Sequence, residues 1–126
     1  GTREMELFER LKPDFEFNDE RGSLAQLVHQ GYAQINVLTT RAGVTRGGHY
    51  HKRSTEAFFG VGGQVRVTFS RGEAREIETF AKNDFFRIPP YVSHAMAFDE
   101  DTVLVALYDI PVETADGGKD IYAEGT

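Results

Sequence analysis

Short alternations of apolar and polar residues, each closed by a turn signal, run along most of the chain and leave few folds open. Phe15 and Phe17 alternate with acids, Ile35 and Val37 with Gln34 and Asn36, and Val65, Val67 and Phe69 with Gln64, Arg66 and Thr68. This two-residue period marks strands with one face buried. Further extended segments are predicted at 23–28, 48–51, 55–61, 75–80, 85–88, 94–98 and 103–108. Between them stand Asp19-Glu20-Arg21-Gly22, Gly62-Gly63, Ser70-Arg71-Gly72, Lys82-Asn83-Asp84, Pro89-Pro90 and Asp99-Glu100-Asp101, all turn formers. Strands at roughly ten-residue spacing, without interleaved helices, predict an all-β antiparallel sandwich or jelly-roll barrel. Met5, Phe8 and Leu11 fall at helical spacing, with Thr2 as N-cap and Pro13 beyond the end. A short helix in an N-terminal extension over 1–12 is therefore predicted. Residues 113–126 form a polar tail, either disordered or laid over the barrel or a partner subunit.

The 126 residues fit one domain, 40% hydrophobic and 27% charged, large enough for a core without staples. The absence of cysteine excludes disulfides, thiolate metal sites, iron–sulfur clusters and cysteine nucleophiles, so any metal must take His and carboxylate ligands. Apolar runs are too short for a membrane span or a signal-peptide core, and the expectation is a soluble, cytoplasmic protein without a membrane partner. A net charge of −6 argues against nucleic acid as a partner. Arg41, Arg46, Lys52 and Arg53 nevertheless form a basic island free of acids, while 99–126 holds eight acids and Lys119 as its one cation. Such an island suggests a local anion site.

Four histidines occur, and three lie in a telling pattern. His49 and His51, one residue apart on an extended segment, project to the same face while Tyr50 projects to the other. Lys52-Arg53-Ser54-Thr55 permits a hairpin reversal that brings Glu56 onto the neighbouring strand facing them, and His94, after Pro89-Pro90, can add a third imidazole from across a barrel. A carboxylate inside a barrel carries a heavy desolvation penalty unless a cation accompanies it. His49, His51, Glu56 and His94 are thus the expected ligands of a divalent transition metal. Zinc is the first expectation, and manganese, iron, nickel or cobalt also fit the donors. His29 is given no role.

These residues resemble the two motifs of the cupin superfamily. Gly43, His49, His51, Glu56 and Gly63 satisfy the first throughout, written G-x5-H-x-H-x3or4-E-x6-G. The second, G-x5-P-x-G-x2-H-x3-N, is met at Pro89 and His94, whereas Asn83 and Tyr91 replace its glycines and Phe98 its asparagine. The resemblance implies a double-stranded β-helix, the cupin jelly-roll barrel. The flanks 19–24 and 43–52 are similar to cupins that remodel nucleotide-linked sugars for surface polysaccharides. One such branch is the metal-containing C-terminal domain of bifunctional capsular-polysaccharide enzymes. The other is the dTDP-4-keto-6-deoxyhexose 3,4-ketoisomerases, which usually lack the glutamate and the metal. Glu56, Thr39-Thr40 and Asp120-Ile121-Tyr122 favour the first.

What the resemblance implies is epimerisation or keto-isomerisation of a nucleotide-linked 4-keto-6-deoxy sugar through an enolate. Arg21, Arg46 and Lys52 would then bind substrate, Arg forks being suited to a pyrophosphate, and Tyr50, Tyr91 and Tyr108 are catalytic candidates. It also implies a homodimer, with the 5–11 segment or first strand exchanged. Two other readings fit the same residues: a sugar- or small-molecule-binding cupin without turnover, and an Fe(II)-dependent oxygenase.

Overall fold

The computed structural model describes residues 7–124. Their strands, in chain order, are β1 (Glu9–Arg10), β2 (Phe15–Asp19), β3 (Gly22–Gln26), β4 (Gln34–Thr40), β5 (Thr45–Tyr50), β6 (Glu56–Gly62), β7 (Gln64–Arg71), β8 (Ala74–Ala81), β9 (Phe85–Ile88), β10 (Ser93–Ala97), β11 (Thr102–Tyr108) and β12 (Tyr122–Ala123). Two five-stranded antiparallel sheets form, ordered β1-β9-β6-β11-β4 and β12-β5-β10-β7-β8, and β2-β3 is a separate hairpin. The all-β expectation and its strand segments are recovered within a few residues at each end.

The interior is filled from inward positions of both sheets. Val65, Val67 and Phe69 of β7 are fully buried while their neighbours Gln64 and Arg66 are exposed, as the alternation requires. Phe80 and Phe86 stack at 3.7 Å and Phe8 on Phe69 at 4.8 Å, and each such buried ring contributes on the order of 1.5–3 kcal/mol. Strand β6 is buried on both faces. Phe58 joins the main core, whereas Ala57 and Phe59 meet a second cluster that includes Leu11, Leu27, Val28 and Leu107.

Among the described residues there is no helix. Within the predicted helix, the part through Glu6 lies outside the described residues, and the remainder is extended. Leu7 and Phe8 turn into the core, Glu9 and Arg10 pair with Arg87 and Phe86, and the Leu11 amide donates to the Phe85 carbonyl at 2.8 Å. A helix this short is marginal alone, and pairing with a sheet edge outweighs its periodicity. The tail is laid over the barrel: β12 pairs with β5, and Asp120 is buried.

Two backbone details shape the site. Strand β5 carries a bulge opposite β10, where His94 pairs with His49 but Ala95 pairs with Gly47. Gly47 and Gly48 take φ of 89° and 76°, and the extra residue bends the strand just before His49. Among the described residues, the non-glycine positions with positive φ are Asn83 at 73° and Tyr91 at 69°. These are the two positions where the second motif is written with glycine, the residue that takes positive φ at least cost. Gly47→Ala is expected to destabilise by about 1–3 kcal/mol, because the new Cβ would lie 2.5 Å from the His94 carbonyl oxygen. Gly48→Ala, with open space around it, should cost less. Urea unfolding of the two variants checks this, and equal losses would mean the approach to His94 is unimportant.

Candidate metal centre

One ligand atom from each of His49, His51, Glu56 and His94 lies within 4.8 Å of the others. The topology that achieves this differs from the expected hairpin. Residues 52–55 carry the chain from the second sheet to the first, so Glu56 opens β6 in the sheet opposite β5. His94 sits on β10, directly beside His49 in the same sheet. Glu56, not His94, is the ligand that arrives from across the barrel. Four residues are enough for either route, and period-two reasoning does not distinguish a hairpin from a corner between sheets.

His51, Glu56 and His94 are buried and His49 is half-buried. The His51 Nδ1–H donates to the Asp120 backbone carbonyl at 2.6 Å. A carbonyl only accepts, so the Nε2 lone pair of neutral His51 faces Glu56 Oε1 at 2.9 Å. The same logic applies to His94, whose Nδ1 contacts the Val92 carbonyl at 3.3 Å. Its Nε2 is 3.3 Å from the same Oε1, poorly aligned, and stands among the buried atoms without a hydrogen-bond partner. Two imidazole acceptors thus converge on a carboxylate oxygen. This arrangement is repulsive unless a cation, a proton or a metal ion, lies among them. Three imidazoles and a carboxylate are a fitting donor set for a divalent transition ion.

The electrostatics agree. Burial opposes ionisation of Glu56, but its neighbours His51 and His94 and the Tyr108 hydroxyl hold its pKa down at about 2. Burial, reinforced by His94 and His51, holds His49 down at about 4, so at neutral pH it offers a lone pair. Burial also works against the His51 cation, yet the Glu56 carboxylate and the Asp120 carbonyl together raise its pKa.

The cluster opens on a cavity of about 330 Å³ whose polar wall is Arg46, His49, Glu56, His94 and Tyr108. Leu38, Phe58 and Met96 supply apolar wall. Arg46 is held by its Nε–H bond to Thr40 Oγ1 at 2.8 Å. Tyr108 stands opposite Glu56 in the β11–β6 ladder, and burial and the Glu56 charge push its phenol well above the usual range. A larger hollow of about 620 Å³ lies by Glu9, Tyr32, Arg87 and Asp109. Its Arg87 is paired with Glu9 at 2.6 Å, and none of the four clustered residues lines it.

The other sequence candidates lie elsewhere. Arg21 is 78% exposed on the β2–β3 turn and paired with Asp19 at 2.6 Å. Lys52 lies over the Tyr122 ring at 4.2 Å. Tyr50 packs with Tyr91 and Tyr122 at 6.1 and 5.6 Å, and neither it nor Tyr91 lines the cavity. Sequence reasoning missed Asp120 as a partner of His51 and Thr40 as the support of Arg46. Thr39-Thr40 and Asp120-Ile121-Tyr122 stand out in the sequence, but no spacing ties Thr40 or Asp120 to the histidines.

Residues 17–110 match the profile of the polysaccharide biosynthesis C-terminal domain. The chain belongs to this family. Over 53 residues, 41% of its length, this polysaccharide biosynthesis domain is 38% identical to UDP-2-acetamido-2,6-beta-L-arabino-hexul-4-ose reductase of Pseudomonas aeruginosa, of which the match spans 14%. Its fold is cupin-like and similar to that of the TDP-quinovose 3,4-ketoisomerase of Campylobacter jejuni (TM-score 0.81, 16% identity, 95% of each chain). A 3,4-ketoisomerase from Helicobacter canadensis superposes with a TM-score of 0.76 at 20% identity over 87% of each chain. For dTDP-4-dehydrorhamnose 3,5-epimerase of Sulfolobus tokodaii the TM-score is 0.66 at 20% identity, over 82% of this chain and 75% of that one.

His49→Ala and Glu56→Gln are each expected to weaken zinc binding by more than the about 10–100-fold typical of losing a supporting residue. Chelator competition on the folded proteins measures this, and wild-type affinity in both would remove these residues from the site.

Proposed function

We propose that this domain moves a proton next to the carbonyl of a nucleotide-linked 4-keto-6-deoxy sugar, epimerising or keto-isomerising it in surface-polysaccharide biosynthesis, with a divalent metal, zinc first, on His49, His51, Glu56 and His94. The observation that carries the reading is the convergence of that donor set with Arg46 and Tyr108 on one cavity. A metal ion bound there would supply Lewis-acid stabilisation for a developing enolate oxygen. Arg46, braced by Thr40, turns its guanidinium to the cavity as the group that holds a phosphate of the nucleotide. Tyr108, kept protonated, serves as a hydrogen-bond donor and not as a base. Tyr50 and Tyr91, outside the cavity, are given no part in the reaction. With the imidazoles of the cluster committed to the ion, His49, the least buried of them, could accept the proton only when released from it. Arg21 and Lys52 bind substrate only if the ligand extends beyond this cavity.

A second reading has its own support. His51 Nε2 and Glu56 Oε1 lie 2.9 Å apart, a distance that also suits a shared proton, and the same cavity would then work by acid–base chemistry without metal. Incubation with UDP- and dTDP-4-keto-6-deoxy sugars in deuterated water tests the proposal. Deuterium entering next to the carbonyl, lost after chelation and restored by zinc, is the expected result; exchange that survives chelation favours the second reading. Binding without exchange would make the domain a sugar-binding module, and oxygen consumption with Fe(II) an oxygenase. Arg46→Ala should weaken nucleotide-sugar binding about tenfold or more with metal content unchanged.

A second copy of the chain is the proposed partner. Phe15, Phe17 and Leu24 share the exposed face of the β2–β3 hairpin, and Ile35 and Val37 stand exposed on the edge strand β4. Phe17→Glu is expected to convert a dimer to monomer in analytical ultracentrifugation. A wild-type monomer would end this part of the proposal.

A further inference from the structure

The tail beyond residue 110 lies outside the family match, yet it touches the segment carrying two of the clustered histidines at successive points. The Glu124 amide donates to the Gly48 carbonyl at 2.8 Å, and Ala123 and Tyr122 pair with His49 and Tyr50. Asp120, 2% exposed, then acts twice. Its carbonyl receives the His51 Nδ1–H. Its carboxylate accepts the backbone N–H groups of Lys52, Arg53 and Ser54 at 2.8, 2.9 and 2.9 Å. Those three amides form the corner that carries the chain from His51 to Glu56 across the sandwich.

A buried carboxylate satisfied by three amide donors is a strong, directional anchor. The corner it fixes determines how far apart the His51 and Glu56 side chains stand. The carbonyl contact in turn fixes which imidazole nitrogen of His51 is left for an ion, as the outer partners of metal-bound histidines commonly do. We propose that Asp120 is a positioning residue of the metal centre, so that docking of the C-terminal strap and loading of the ion are one coupled equilibrium. This rests on the metal reading above. Coupling is reciprocal: a strap in place tightens the ion, and the ion tightens the strap.

The test starts with zinc titrated into chelated wild-type protein against a chromophoric chelator. If no divalent ion binds, the metal reading fails and takes the coupling with it. Given binding, Asp120→Ala is expected to weaken zinc about 10–100-fold, Asp120→Asn less, and Lys119→Ala, an exposed neighbour, not at all. Zinc affinity in Asp120→Ala equal to wild type would overturn the proposal while leaving the metal reading intact. Nitrogen-edited NMR of the metal-free protein adds a local readout, because a general loss of stability would also speed exchange at the core amides of β7. The His51 Nδ1–H signal should exchange slowly in wild type and be lost in Asp120→Ala. If that variant does not fold, hydrogen exchange on wild type decides. Zinc should slow exchange at the amides of Lys52, Arg53 and Ser54 by about tenfold or more, and unchanged rates with zinc bound would overturn the coupling.

Discussion

A carboxylate oxygen faces two imidazole lone pairs in the interior of this barrel, and that contact demands positive charge. Glu56 is buried and ionised, His51 and His94 each direct Nε2 at the same oxygen, and both have their other nitrogen committed to a backbone carbonyl. The tautomers are set by groups that can only accept. With the lone pairs fixed inward, a proton or a metal ion is what reconciles the four side chains. The rest of the site follows from holding them there: a glycine bulge that bends β5 before His49, a corner that delivers Glu56, and a tail that braces the corner.

The barrel itself is ordinary physical chemistry. Inward phenylalanines fill it, and Phe58 connects the two regimes, stacked on Phe86 at 5.5 Å and edge-on to His94 at 6.4 Å. An apolar floor beneath the cluster lowers the local dielectric, which strengthens each electrostatic contact above it. Family membership and the cupin-like fold place this arrangement among polysaccharide biosynthesis domains, and the chemistry is argued from the side chains alone.

Much of this was legible in the chain before any coordinates. The two-residue alternation in 64–69 is the buried face of β7, and His49, His51, Glu56 and His94 stand out in the sequence because a cation is a natural partner for a carboxylate inside a barrel. What was not legible is instructive. The 7–11 segment has helical spacing, but a sheet edge was available and backbone pairing prevailed. Glu56 was expected by hairpin and arrives by a change of sheet, which local pattern does not encode. Asp120 sits 69 residues from His51, and no periodicity links them. Tyr91 departs from the motif's glycine, yet it takes a φ of 69°, a left-handed turn that its residue type does not announce.

The change of sheet between His51 and Glu56 has a mechanical meaning. Face-to-face sheets are held mainly by nondirectional apolar packing, so their easiest large motion is to splay. Ligands drawn from both layers turn a bound ion into a rivet across that seam. An ion at a hundred times its dissociation constant would add about 2.7 kcal/mol against unfolding, concentrated on the one deformation that would open the cavity to bulk water.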